Sequence, residues 1–188
     1  MSNAPARPEF SRPLRAESVH VRGRTERLTA NPEERAALAE RFGILAVESL
    51  MAEIELRPHR RDGLALTGRL VADVVQACVV SLEPVPEHVE SAFERVYEPG
   101  AEDPEANFSV DDLFDPDAVD PPEPLIDGIV DLGELVAEEL ALALDPYPRA
   151  PGAEIPAEYR PDEAEAADDA PAQDTHRPFA VLKGGRDT

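Results

Sequence analysis

One cysteine, Cys78, is all the thiol chemistry that 188 residues offer, so no disulfide can form within the chain. Thiol usage this sparse suits a reducing compartment. Tryptophan is absent, lysine occurs once (Lys183), and aromatic residues make up only 5%, which limits the core to a modest one. No uninterrupted run of about 18 apolar residues exists, so no membrane-spanning helix is expected. The N-terminal stretch MSNAPARPEFSRPLRA lacks the apolar segment of a signal peptide. The expected location is the cytoplasm. G-x-S-x-G, P-loop, G-x-G-x-x-G and H-E-x-x-H patterns are all missing. The four histidines (His20, His59, His88, His176) are scattered, and one cysteine does not supply the spacing of a structural zinc site. Neither catalysis nor a cofactor is expected.

What the chain does have is acid and proline. Its net charge is −22 and it contains 20 prolines. Residues 1–95 hold 13 Arg/Lys against 15 Asp/Glu, and residues 96–188 hold 5 against 25, so the halves carry −2 and −20. Nucleic-acid binding relies on Lys and Arg displacing counterions from phosphates, which disfavours non-specific RNA binding by the whole chain. A local arginine patch in the first half, or attraction to a basic protein, remains open.

Residues 9–27 read as one or two short strands, with Val19 and Val21 alternating with His20 and Arg22. A helix follows: Asn31 is a good N-cap, Pro32 takes the first turn, Glu34 completes a capping box, and Gly43 stops it. Leu50, Ala52, Ile54 and Leu56 alternate with Met51, Glu53, Glu55 and Arg57, the period of a half-buried strand ending at Pro58. HRRDG then turns the chain. From 64 to 82 the even positions are mostly apolar, and so long a strand predicts a bend or bulge near Gly68 or Gln76. HVESAFERVYE reads as a strand returning in a hairpin. Residues 98–124 form an acidic, proline-rich loop. A second capping pattern at Asp131 and Glu134 opens a helix with the stripe Leu132, Val136, Leu140 and Leu144.

The architecture implied is α+β: a curved antiparallel sheet or partly open barrel of about five or six strands, covered by two helices. It spans residues 1–150. Residues 151–176 carry too little apolar surface to fold and are expected to form a disordered acidic linker. Residues 177–188 contain the apolar cluster PFAVL.

In QACVVSLEP, Cys78 lies on the apolar parity, and the reading is a small buried residue rather than a reactive thiol or ligand. Gln76 on that face marks either a bond to backbone or a readout position. Arg57, Arg60, Arg61 and Arg69 cluster around one predicted turn, either as solvated charge, as a patch for phosphate or an acidic partner, or neutralised by the acidic segments of this chain. Phe179, Val181 and Leu182 either fold back over the sheet or act as a tethered docking motif.

The segments VVQACVVSLEPVPEHVESAFERVY, IDGIVDLGELVAEELALALDPYPRAPG and RPFAVL together resemble the bacterial YceD family, whose named member is the large ribosomal RNA subunit accumulation protein. Many members carry further cysteines near the position of Cys78, and their absence here argues against a zinc site. The resemblance implies a role in synthesis, processing or stability of 23S rRNA. It supplies no catalytic residue. The expected partner is a basic ribosomal protein or a large-subunit assembly intermediate; the alternative is direct rRNA binding by the arginine-rich N-terminal half, autoinhibited by the acidic half. No membrane partner is expected, and oligomeric state is left unassigned.

Overall fold

A computed structural model describes residues 8–60, 62–101 and 121–155. The chain divides into two units, Met1–Pro151 and Gly152–Thr188. All helices and strands of the described residues lie in the first: β1 (Pro13–Arg15), β2 (Arg24–Thr29), α1 (Pro32–Phe42), β3 (Ala46–His59), β4 (Gly63–Ala77), β5 (Pro84–Glu98), β6 (Glu123–Pro124), β7 (Ile129–Asp131) and α2 (Leu132–Ala143). The fold is α+β. Five strands pair in the order β2-β3-β4-β5-β6, and the sheet does not close into a barrel. β1 and β7 form a separate two-stranded ladder.

Local chemistry explains the helix ends. The Asn31 side chain accepts from the Glu33 and Glu34 amides, both at 2.9 Å, while the Glu34 carboxylate accepts from the Asn31 amide at 2.9 Å. This reciprocal box leaves fewer orphan amides at the start of α1. Gly43, at φ +66°, takes the left-handed cap. At α2 only half the expected box forms. The Asp131 carboxylate caps Gly133 and Glu134, but the Glu134 side chain instead grips Arg41 at the end of α1, at 2.6 and 2.9 Å.

Alternation correctly marks the buried faces. Leu50, Ala52, Ile54 and Leu56 of β3 meet Leu64, Leu66, Leu70, Ala72 and Val74 of β4, and Val89, Phe93 and Tyr97 of β5, in one core. α1 packs on β3, and α2 packs on β5, β4 and β1. Leu132, Leu135, Val136 and Leu140 fill the layer between α2 and the sheet.

Four local expectations are corrected. The Val19–Arg22 alternation is not a strand: Val19 is buried, Val21 is exposed, and pairing begins at Arg24. β3 continues through Pro58 to His59. β2 reaches only to Leu56, so Pro58 lies where β3 has no neighbour on that side and a missing N–H interrupts no ladder. The bulge falls between Val47 and Ser49 of β3, not at Gly68 or Gln76 of β4. β4 ends at Ala77, and Leu82, at φ +61°, is 76% exposed in the turn that follows.

Gly68 does have a packing role. It faces Phe93 across the β4–β5 ladder, and a Cβ there would lie 2.2 Å from the ring.

Candidate functional site

From Ser49 onward on β3 and from Ala65 onward on β4 the residues of odd number, and on β5 those of even number, face away from the helices. This open sheet face carries a groove of about 670 Å³ whose lining includes Thr29, Met51, Thr67, Val71 and Ala92. Charged pairs cross it. Arg27 meets its register partner Glu53 at 2.5 Å, and Arg69 bonds Glu90. Further along, Ser49 Oγ donates to Asp73 at 2.7 Å, and Asp73 holds His88 Nδ1 at 2.7 Å. The hydrogen bond from His88 is the main cause holding the Asp73 carboxyl below its usual range, and the same bond raises the His88 imidazole. Arg69 likewise lowers Glu90.

Of the arginines singled out, Arg57 and Arg69 stand apart on the β3–β4 ladder. Arg57 stands opposite Ala65, four residues along the ladder from the Glu53–Arg69 pair, a separation of about 13 Å. Arg57 approaches Glu55 at 3.5 Å. Arg60, in the turn, lies 2.8 Å from Glu98, which also meets His59 at 3.3 Å. Arg61 lies outside the described residues, as do Phe179, Val181 and Leu182 and the expected acidic loop between 102 and 120. Each described arginine of the set is therefore held by a carboxylate of its own chain.

Gln76 adopts the backbone-bonded alternative. Its Nε2 donates to the Asp145 carbonyl at 3.0 Å, tying β4 to the segment after α2, while its buried Oε1 has no partner among the described residues. Cys78 is fully buried as expected, but it packs in polar company. Its Sγ accepts from the amides of Ala150 at 3.3 Å and of Val80 and Ser81 at 3.4 Å. The Ala150 amide first, then the Ser81 side chain and the Ser81 amide, outweigh burial and lower the thiol to about 6. Sequence reasoning missed this because Ala150 is 72 residues away.

A second missed arrangement lies between α2 and β5. Glu139 is buried and bonds Arg95, which also reaches Glu123 at 3.1 Å. Burial, followed by the nearby Glu134 and Glu123, raises the Glu138 carboxyl. The signal available in sequence was Glu139 itself, one residue before Leu140 of the apolar stripe.

Among the described residues, no group of three or more His, Cys, Asp or Glu side chains is placed to hold a metal. No described helix is long and apolar enough to cross a membrane. The arrangement is one of surfaces: an open sheet face, internally neutralised arginines and an excess of carboxylates.

Neither the curated proteins nor the solved structures yield a match. A family model does match, over residues 66–184, which is more than half of the chain and runs from β4 through α2 into the C-terminal segment. The chain belongs to the YceD family, described as large ribosomal RNA subunit accumulation protein.

Proposed function

We propose that this chain is a non-enzymatic accessory factor of large ribosomal subunit biogenesis, supporting accumulation of 23S rRNA by binding a basic ribosomal protein or an assembly intermediate. Family membership supplies the pathway. The observation that carries the mode of action is electrostatic. Arg57, Arg60 and Arg69 are each engaged by a carboxylate of the same chain, and the total charge is −22. Phosphate binding would have to displace those carboxylates against a repulsive field. A cationic protein meets attraction instead, which raises association rate more than affinity. Phe179, Val181 and Leu182 would add short-range apolar contact.

Affinity capture from lysate, with and without nuclease, tests this. Basic ribosomal proteins should co-purify and persist after nuclease, and deleting residues 177–183 should weaken their recovery. Loss of all partners on nuclease treatment would transfer the function to direct RNA contact.

A further inference from the structure

A sheet edge presents backbone groups that must find partners in water, in another element or in another chain. β5 is 15 residues long, yet β6 pairs with it only at Tyr97 and Glu98. Which of its backbone groups face outward follows from two bonds. The Cys78 amide donates to the Glu83 carbonyl on the β4 side, and the Leu125 amide donates to the Glu98 carbonyl on the β6 side. Register with β4 is unbroken from Ala77↔Pro84 to Leu64↔Tyr97. Odd-numbered residues of β5 therefore bond β4, and even-numbered ones point to the open edge.

The open stretch has defined limits. Pro84 and Pro86 occupy even positions, where a missing N–H costs no bond to β4. At the other end the Glu94 carbonyl already accepts from the Arg95 guanidinium at 2.9 Å. Between them lie the amides of His88, Glu90, Ala92 and Glu94 and the carbonyls of Pro86, His88, Glu90 and Ala92. Among the described residues, none of these has a backbone partner. The stretch is about 26 Å long, room for roughly nine extended residues.

Its charge is one-sided. Residues 84–94 contain Glu87, Glu90 and Glu94 and no Arg or Lys. Glu90 is shared with Arg69 and His88, while no described cation pairs with Glu87 or Glu94. Edges are commonly guarded by lysine; this one is guarded by acid. Antiparallel pairing with a second copy of β5 in the registers that set Glu90 against Glu90 or Glu94 would bring like charges together, which is unfavourable, and the net acidity of the stretch disfavours phosphate. A strand with cations on alternate residues would instead place them beside Glu90 and Glu94.

We propose that the edge of β5 between Pro86 and Glu94 is the docking strand for an extended, arginine- or lysine-rich segment of a basic protein, which joins the sheet as a further strand. This rests on the reading that the chain works by binding basic proteins, and adds where and how.

The probe is a terminally blocked peptide of about nine residues alternating arginine and valine. Binding is followed by fluorescence anisotropy, and residue-resolved amide exchange is read by NMR on the full chain. Binding should slow exchange at His88, Glu90, Ala92 and Glu94 by about tenfold or more, while Val89, Ser91 and Phe93, already bonded to β4, change little. Ala92→Pro removes an outward N–H without touching the β4 ladder, and should weaken binding about tenfold or more. Ala92→Thr should bind as the parent does.

No binding, or binding without protection at these four amides, overturns the proposal, as does equal binding by a folded Ala92→Pro protein. Edge amides slow in the free protein at every concentration would mean that the chain covers its own edge. Slowing that grows with protein concentration would mean a second copy. Either overturns it. If Ala92→Pro unfolds, the exchange measurement on the parent still decides. Recovery of basic ribosomal proteins by a folded Ala92→Pro bait at parental yield would sink the edge alone; recovery of none by the parent would sink the broader reading instead.

Discussion

Glycine at the second position of a helix is costly in propensity, and Gly133 occupies that place in α2. The reason is a close approach. A Cβ at Gly133 would stand 2.3 Å from the Phe10 carbonyl oxygen, 2.8 Å from its carbon and 3.0 Å from the Arg12 nitrogen. Ordinary contact starts at 3.4 Å, so the N-terminal backbone would have to withdraw by about 1 Å. That backbone is pinned to the same helix end. Ser11 Oγ and the Arg12 amide donate to Asp131 at 2.5 and 2.6 Å, and the Leu132 amide donates to the Arg12 carbonyl at 3.1 Å. Phe10 is fully buried, with the Arg12 guanidinium 4.7 Å above its ring. The two bonds to carboxylate are worth roughly 1.5–3 kcal/mol each and the third about 1 kcal/mol. Gly133→Ala forfeits a large part of that sum and regains about 1 kcal/mol of helix propensity. The expected net loss is roughly 2–4 kcal/mol, a fall in Tm of about 5–15 °C for a domain of this size. Circular-dichroism melts and urea titrations read it directly. A variant as stable as the parent, or more so, would mean that propensity wins and that residues 10–12 do not seat on α2 as described.

The charged groups carry two further expectations. The Cys78 thiol, lowered from 9.0 to about 6 by the Ala150 amide and then the Ser81 side chain and amide, contributes stability that is complete above pH 9 and disappears as pH falls through about 6; ultraviolet thiolate absorbance should titrate near 6, and Cys78→Ser should flatten the rise of Tm between pH 6 and 9, whereas parallel profiles would refute the donor nest. Arg95→Met should cost about 1–3 kcal/mol, an amount reduced by the partial exposure of Arg95, because it leaves the buried Glu139 without its partner. Glu139→Gln should cost less in urea titrations, and an equal or larger cost would show that Arg95 does not compensate that charge.

Sequence periodicity located both helices, their caps and the inward residues of three long strands, because burial and capping are decided by neighbours within a few positions. It failed wherever a distant segment supplied the deciding partner. Val19 and Val21 alternate like a strand, yet pairing starts only where β3 offers a register, at Arg24. Pro58 looked like a terminator because the limit of β2 is invisible locally. Cys78 and Gln76 gave no hint of Ala150 and Asp145. The arginine cluster was drawn from nearness in sequence, whereas the register sets Arg57 and Arg69 four residues apart along the ladder. The outward phase of β5 needed two specific backbone bonds before its prolines and glutamates became interpretable.

The ladder joining Pro13–Arg15 to Ile129–Asp131 links positions up to 118 apart, which sets an order of events during synthesis. At about 5–20 residues per second, the opening strand waits roughly 6–24 s for its mate to be made. Meanwhile the hairpins of β3, β4 and β5, which need only near neighbours, are free to assemble. The residues around Phe10 thus seat only once α2 exists, and a nascent chain cut short before α2 would leave Ser11 and Arg12 without the helix end that holds them.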